Sequence, residues 1–192
     1  MKNKIFILGL LFISIFMFTG CGGGGGSSST SSNSQSYDFY EYLVSSNTVT
    51  KNWDSYILDS SNNIYSTSLN LGSSTETILS STKAIVNEDY TTTYEALSNS
   101  IYVTELGGSG YLNRYISVGD NLVTDYKFTE YLDTFIPISG YIFNDVIKIQ
   151  VDMNDGTYTY DYYSKGLGKI ATTSNYIISG ITYTQLSIVN NY

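Results

Sequence analysis

Between Ile147 and Tyr162 the side chains alternate in character with a period of two, the spacing of a β-strand. Ile147, Ile149, Val151 and Met153 are separated by Lys148, Gln150 and Asp152; beyond Asn154-Asp155-Gly156, Tyr158, Tyr160 and Tyr162 are separated by Thr159 and Asp161. A two-residue Asp155-Gly156 turn, a composition that suits type I′ hairpins, would set Met153 opposite Tyr158, Val151 opposite Tyr160 and Ile149 opposite Tyr162. Both apolar sets would then share one face, whereas a three-residue loop would send them to opposite faces. A sheet with one buried side therefore predicts the two-residue turn.

The rest of the stretch from Tyr37 to Tyr192 uses the same vocabulary. Its 156 residues are enough for one domain with a proper core, and they favour Tyr, Thr, Ser, Ile and Val, which suit a pleated, half-buried surface. Further strands are predicted near Trp53–Ser60, Ile64–Leu71, Thr77–Val86, Tyr90–Ala96, Ile101–Leu106, Tyr111–Val118, Lys169–Thr173 and Ile181–Val189. Turn clusters separate them, including Gly72-Ser73-Ser74 and Gly107-Gly108-Ser109-Gly110. Phe128, Tyr131, Leu132 and Phe135 fall at i, i+3, i+4 and i+7 before Pro137, which predicts one short helix. Phe39, Tyr42 and Leu43 suggest one further helical turn at the start of the domain. The expected fold is mainly β: an antiparallel meander forming a curved sheet or half-barrel with one short helix, with a β-sandwich as the alternative.

Composition excludes several chemistries. The chain has no His and one Cys, so it has no Ser-His-Asp triad, Cys-His dyad, imidazole zinc site or intrachain disulfide. With 17 acidic against 9 basic residues its formal charge is -8, which argues against a nucleic-acid partner.

The first residues carry an address. Lys2 and Lys4 precede Ile5 to Phe18, 14 mostly apolar residues, too short to span a bilayer that needs about 20 and suited to a signal h-region. The run ends in Phe18-Thr19-Gly20-Cys21, which resembles the bacterial lipobox, with Phe18 in place of the usual Leu. That resemblance implies cleavage after residue 20, diacylglyceryl transfer to the Cys21 thiol and acylation of the new amino terminus; Gly22 implies the outer membrane in a Gram-negative cell. Residues 22 to 36, all Gly, Ser, Thr, Asn and Gln, have nothing to bury and are expected to act as a tether spanning roughly 20 Å. Loss of residues 1–20 leaves 7 basic and 17 acidic residues, a charge of -10, so lipid alone would hold the protein to an anionic membrane.

Three motifs invite chemistry, and each has a structural explanation. Asp152-Met153-Asn154-Asp155-Gly156 is one residue short of a calcium loop and has Tyr162 where Glu belongs; the hairpin accounts for it. Gly166-Leu167-Gly168-Lys169-Ile170-Ala171 has the relaxed dinucleotide pattern without a strand-to-helix setting, so its glycines are expected to form a bulge or tight turn. The 17 acidic residues include no recognisable pair for glycoside hydrolysis. The segment Tyr162 to Ile170 is similar to a stretch near the end of β domains in bacterial envelope lipoproteins, some of which resemble the LolA/LolB half-barrel, with Lys169 where an apolar residue is usual. That resemblance implies a fold that cradles acyl chains.

The sequence thus predicts a lipid-anchored, non-catalytic envelope protein that needs no cofactor. Its curved sheet would bind an apolar or glycan ligand; docking onto another envelope protein is the alternative, and a carboxylate-dependent hydrolase a distant third. Tyr158, Tyr160 and Tyr162 are read first as a core-facing stripe and Trp53 as core, with all four as candidate ligand-stacking surfaces because an aromatic ring with a polar edge suits either role.

Overall fold

The computed structural model describes residues 35–192. The leader 1–20, Cys21 and the linker up to residue 34 lie outside the described residues. Fourteen strands and one helical turn follow: β1 (Tyr37–Asp38), α1 (Tyr40–Leu43), β2 (Val49–Leu58), β3 (Ile64–Ser80), β4 (Lys83–Asn87), β5 (Thr91–Ala96), β6 (Ser100–Glu105), β7 (Gly108–Asn113), β8 (Tyr115–Ile116), β9 (Asn121–Val123), β10 (Tyr126–Phe135), β11 (Phe143–Asp152), β12 (Tyr158–Ser164), β13 (Gly168–Ile178) and β14 (Ile181–Val189).

Twelve strands form one antiparallel sheet in the order β7-β6-β5-β4-β3-β2-β14-β13-β12-β11-β10-β9, nearly closed into a barrel. The first and last long strands, β2 and β14, are hydrogen-bonded to each other, so the remaining gap falls in mid-chain, between β7 and β9. There the chain leaves the sheet as β8, which pairs with β1. Arg114 clamps this pair: its guanidinium lies 2.8 Å from Asp38 and donates at 2.8 Å to the Leu97 carbonyl, while its own carbonyl accepts from the Phe39 N–H. The expected curved meander is therefore present, and the sandwich is not.

Two apolar layers stabilise the sheet. Inside the barrel, Phe39, Tyr42 and Leu43 of the α1 segment pack with Ile101, Ile116, Phe128, Ile147, Ile149 and Tyr163. Outside, segment 136–142 folds back over β11, β12, β13, β14 and β2, where Ile138 meets Phe143, Val146, Tyr162, Leu186 and Ile188. Burying a Phe, Leu or Ile side chain stabilises by roughly 1.5–3 kcal/mol, so each layer is a substantial core. α1 itself is one turn, too short to persist without its buried Tyr40, Tyr42 and Leu43.

Three expectations need correction. The β11–β12 hairpin has a three-residue loop: the Met153 N–H donates to the Thr157 carbonyl, and Val151 faces Thr159, Ile149 faces Asp161 and Ile147 faces Tyr163. Asn154 at φ 60° and Gly156 at φ 84° make the reversal. The tyrosine stripe consequently points away from Ile147 and Ile149, and this is tolerated because the outer face is buried here too. The predicted helix at 128–135 is strand β10. Thr129 is the extra residue of a bulge, with Phe128 opposite Ile149 and Glu130 opposite Lys148, so Phe128 and Tyr131 fall on one face at a spacing that imitates a helix. Gly72-Ser73-Ser74 is no turn: β3 runs through it, and the chain reverses at Ser81-Thr82.

Candidate functional site

Strand registers define the two ends of the barrel. β3–β4, β5–β6 and β12–β13 reverse at one end, where the Gly166 N–H donates to the Glu41 carbonyl and α1 forms a plug. β4–β5, β6–β7 and β11–β12 reverse at the other, which is open. From it a cavity of about 950 Å³ descends to Leu43 and Tyr163 above the plug. Its walls carry Trp53, Tyr90, Tyr94 and Tyr126 among Ser, Thr and Gln side chains and the apolar Leu71, Val86, Val151 and Met153. Six carboxylates, Glu76, Glu88, Asp89, Glu105, Asp155 and Asp161, face it, against the single ammonium of Lys169.

The same three-residue loop that turned the tyrosines outward turned Thr157, Thr159 and Asp161 inward, and so set two hydroxyls and a carboxylate in the cavity wall. At its floor the charges are partnered. Lys51 and Glu76, both nearly fully buried, form an ion pair; Glu76 Oε2 also accepts the Ser45 N–H at 2.5 Å, and Lys51 Nζ donates to the Lys169 carbonyl at 3.1 Å. Asp161 Oδ1 lies 3.2 Å from Lys169 Nζ and accepts the Thr172 hydroxyl at 2.7 Å. Gly168 makes room for the first pair: at φ +69° a Cβ there would lie 2.7 Å from Glu76 Oε1 and 2.9 Å from Lys51 Nζ. The G-x-G-x-x-A segment is thus a turn whose second glycine admits a buried ion pair.

These surroundings set the proton affinities. Burial lowers the Lys51 pKa, with Glu76 opposing. Burial works against the Lys169 ammonium too, but Asp161 and Glu88 outweigh it and hold its pKa above the usual value. Glu105, near the mouth, is pushed up by burial and pulled back by the hydroxyl of Thr92, whose Oγ1 lies 3.3 Å away. Burial and the neighbouring carboxylates raise Tyr94, Tyr126 and Tyr163, which keeps these phenols neutral donors at physiological pH.

Of the residues singled out from sequence, Trp53 lines the cavity, its indole N–H donating to Ser74 Oγ at 3.0 Å. The three tyrosines of β12 lie on the outer face. Tyr162 is buried with its ring 4.2 Å from that of Phe135 and nearly parallel to it; Tyr160 has the Lys148 ammonium 4.6 Å from its ring centroid; Tyr158 is exposed. Cys21 lies outside the described residues. Sequence reasoning missed Lys51, Glu76, Asp161 and Lys169. The available signal was Asp161 itself, an acid at a regular strand position between two tyrosines, which implies a wet face once the register is known.

Among the described residues no group of three or more carboxylates or thiolates is placed to hold a metal ion. Comparisons with known protein families, with curated proteins and with solved structures each give no match.

Proposed function

We propose that this chain is a lipid-anchored, non-catalytic envelope protein that binds a glycan in its barrel cavity. The observation that carries the reading is the open cavity of about 950 Å³, which combines aromatic rings with dense hydroxyl and carboxylate groups. Its volume is that of a ligand site. Aromatic faces accept the C–H faces of a sugar ring while carboxylates, hydroxyls and phenols take up its hydroxyl hydrogen bonds. An acyl chain would leave those polar groups dry and unpaired, at a cost of about 1–3 kcal/mol each, so the glycan alternative is preferred to the apolar one. The deepest carboxylates, Glu76 and Asp161, are each held in place by a lysine and serve as fixed hydrogen-bond acceptors. Lipid at Cys21 would place the barrel at a membrane surface, and residues 22–36 would provide reach.

A docking role is the second reading, favoured by the β13–β14 hairpin tip, where Ile177, Ile178 and Ile181 are all exposed.

Trp53 is the only Trp in the chain and stands in the cavity wall, so its fluorescence reports occupancy directly. Titrating the full chain in detergent with glucose, galactose, mannose and N-acetylglucosamine, and with linear oligosaccharides of each, should give a saturable change in Trp53 emission for at least one series. No change with any of them, together with no heat of binding in calorimetry, would contradict the proposal. Separately, intact mass of the chain purified from a bacterial membrane should exceed the peptide mass from Cys21 onward by an acyl-glyceryl group, and Cys21→Ser should abolish the excess.

A further inference from the structure

β2, β3, β13 and β14 do not stop at the rim of the cavity. β12 begins at Tyr158 and pairs β13 no further than Ser174, while β13 continues to Ile178; β4 pairs β3 only from Thr75 onward, while β3 begins at Ile64. The four strands therefore stand above the mouth as a wall. Side chains two apart share a face: Gln185 and Ser187 line the cavity, so Tyr183 continues their row, and Thr172 and Ser174 line it, so Tyr176 continues theirs. Tyr183 and Tyr176 lie directly opposite one another in the β13–β14 register, rings 5.8 Å apart and stacked. Tyr65, the extra residue of a bulge in β3, brings its ring to 5.3 Å from Tyr183 and is 70 % exposed. A row of three tyrosines thus crosses the cavity-side surface of the wall, with its outermost ring in water.

The wall carries few charges: β2 supplies Asp54, which accepts from the Asn70 N–H and from Asn190, and Asp59 follows it at the tip, where it accepts the Ser61 and Asn63 N–H groups. No charged side chain occurs from Ser60 to Thr75 or from Ile170 to Tyr192, although the chain as a whole carries 26. An anionic ligand finds no cation on it, since no Lys or Arg occurs from Asn52 to Thr75 or from Ile170 to Tyr192, whereas an uncharged sugar ring needs only the aromatic face. Successive rings are separated by about the length of one pyranose in a chain, and the row begins where the cavity ends.

We infer that Tyr176, Tyr183 and Tyr65 form a stacking track for the part of the ligand that leaves the cavity, so that the ligand is a linear, uncharged oligosaccharide and not a single sugar. The inference rests on the glycan reading above and names the ligand's class. The test is calorimetry on the full chain with glucose, galactose, mannose and N-acetylglucosamine, each as monosaccharide and as linear tetrasaccharide. One tetrasaccharide should bind at least about tenfold more tightly than its monosaccharide. Tyr183→Ala and Tyr65→Ala should each lower that tetrasaccharide affinity by about tenfold and leave the monosaccharide affinity, read through Trp53, unchanged; Tyr183→Trp should preserve it. Tyr65 is an exposed position, so its variant stays folded even if Tyr183→Ala does not. Tetrasaccharide binding that neither alanine variant weakens would overturn the track while the cavity site stood. An extended peptide that binds the unpaired edge of β3 more tightly than any tetrasaccharide would overturn it too. No binding of any sugar would overturn both readings.

Discussion

The two ends of the barrel are built from the same strands and behave as different materials. At the plugged end, Phe39, Leu43, Phe128, Ile116 and Ile147 close the interior without a charge among them. At the open end the same strands present Glu88, Asp89, Glu105 and Asp155 to solvent-accessible space. Lys51–Glu76 and Lys169–Asp161 lie between the two, where desolvation is expensive and every polar group has a partner. The difference teaches that stability is concentrated at the plug and floor, while the mouth is left open to solvent.

The largest effects should therefore come from the lower half. Phe128→Ala, at a fully buried position, should cost about 3–5 kcal/mol in chemical denaturation. Lys51→Met should cost a similar amount, about 3–5 kcal/mol, because it strands Glu76 as a buried charge; Lys51→Met combined with Glu76→Met should recover much of the loss. A double variant that simply sums the two single losses would show the pair to be uncoupled. Gly168→Ala should cost roughly 1–3 kcal/mol, since it forces a side chain into the left-handed region against the same pair.

Alkaline pH should break the contrast from the other side. Tyr94, Tyr126, Tyr163 and Lys169 have folded-state pKa values above their usual ones. Each contributes stability that is complete below its unfolded pKa, about 10 for Tyr and 10.4 for Lys, and that is lost as pH rises toward the folded value. Lys51, with a lowered pKa, acts in the opposite sense but is one group against four. Denaturation midpoints should fall above pH of about 10, and ultraviolet titration should show a set of tyrosines that ionise only as the chain unfolds. Early, reversible ionisation of every tyrosine would contradict this.

At the mouth the effects should be small. Glu105→Gln should be neutral or slightly stabilising at pH 7, because burial already raises the pKa of that carboxyl and its charged form gains little. Tyr65→Ala should change stability by no more than about 0.5 kcal/mol. A loss of several kcal/mol at Tyr65 would make the upper wall structural and erase the distinction between the ends.

Much of the fold was legible because it is local. Alternation in β11 and β12 and the vocabulary of Tyr, Thr and Ile are read directly from neighbouring residues, as is the helical turn marked by Phe39, Tyr42 and Leu43. What escaped depended on single-residue irregularities that no period reveals. The bulge at Thr129 gave a strand the spacing of a helix, and the third loop residue at Asn154–Gly156 inverted the face of a whole strand. That inversion also misdirected the site: it made Tyr158, Tyr160 and Tyr162 look inward-facing and hid Asp161. Of the tyrosines that stand over the cavity, Tyr176 and Tyr183 share the local β13–β14 hairpin, but Tyr65 joins them only because β14 closes onto β2, a pairing between residues more than a hundred positions apart.

The most direct test is a crystal structure of the full chain grown with the tetrasaccharide that binds best. One sugar ring should lie in the cavity beside Trp53, and the chain should continue outward across Tyr183 and Tyr65. Sugar density on the outer face of β12, or a cavity filled by the protein's own side chains, would contradict the account.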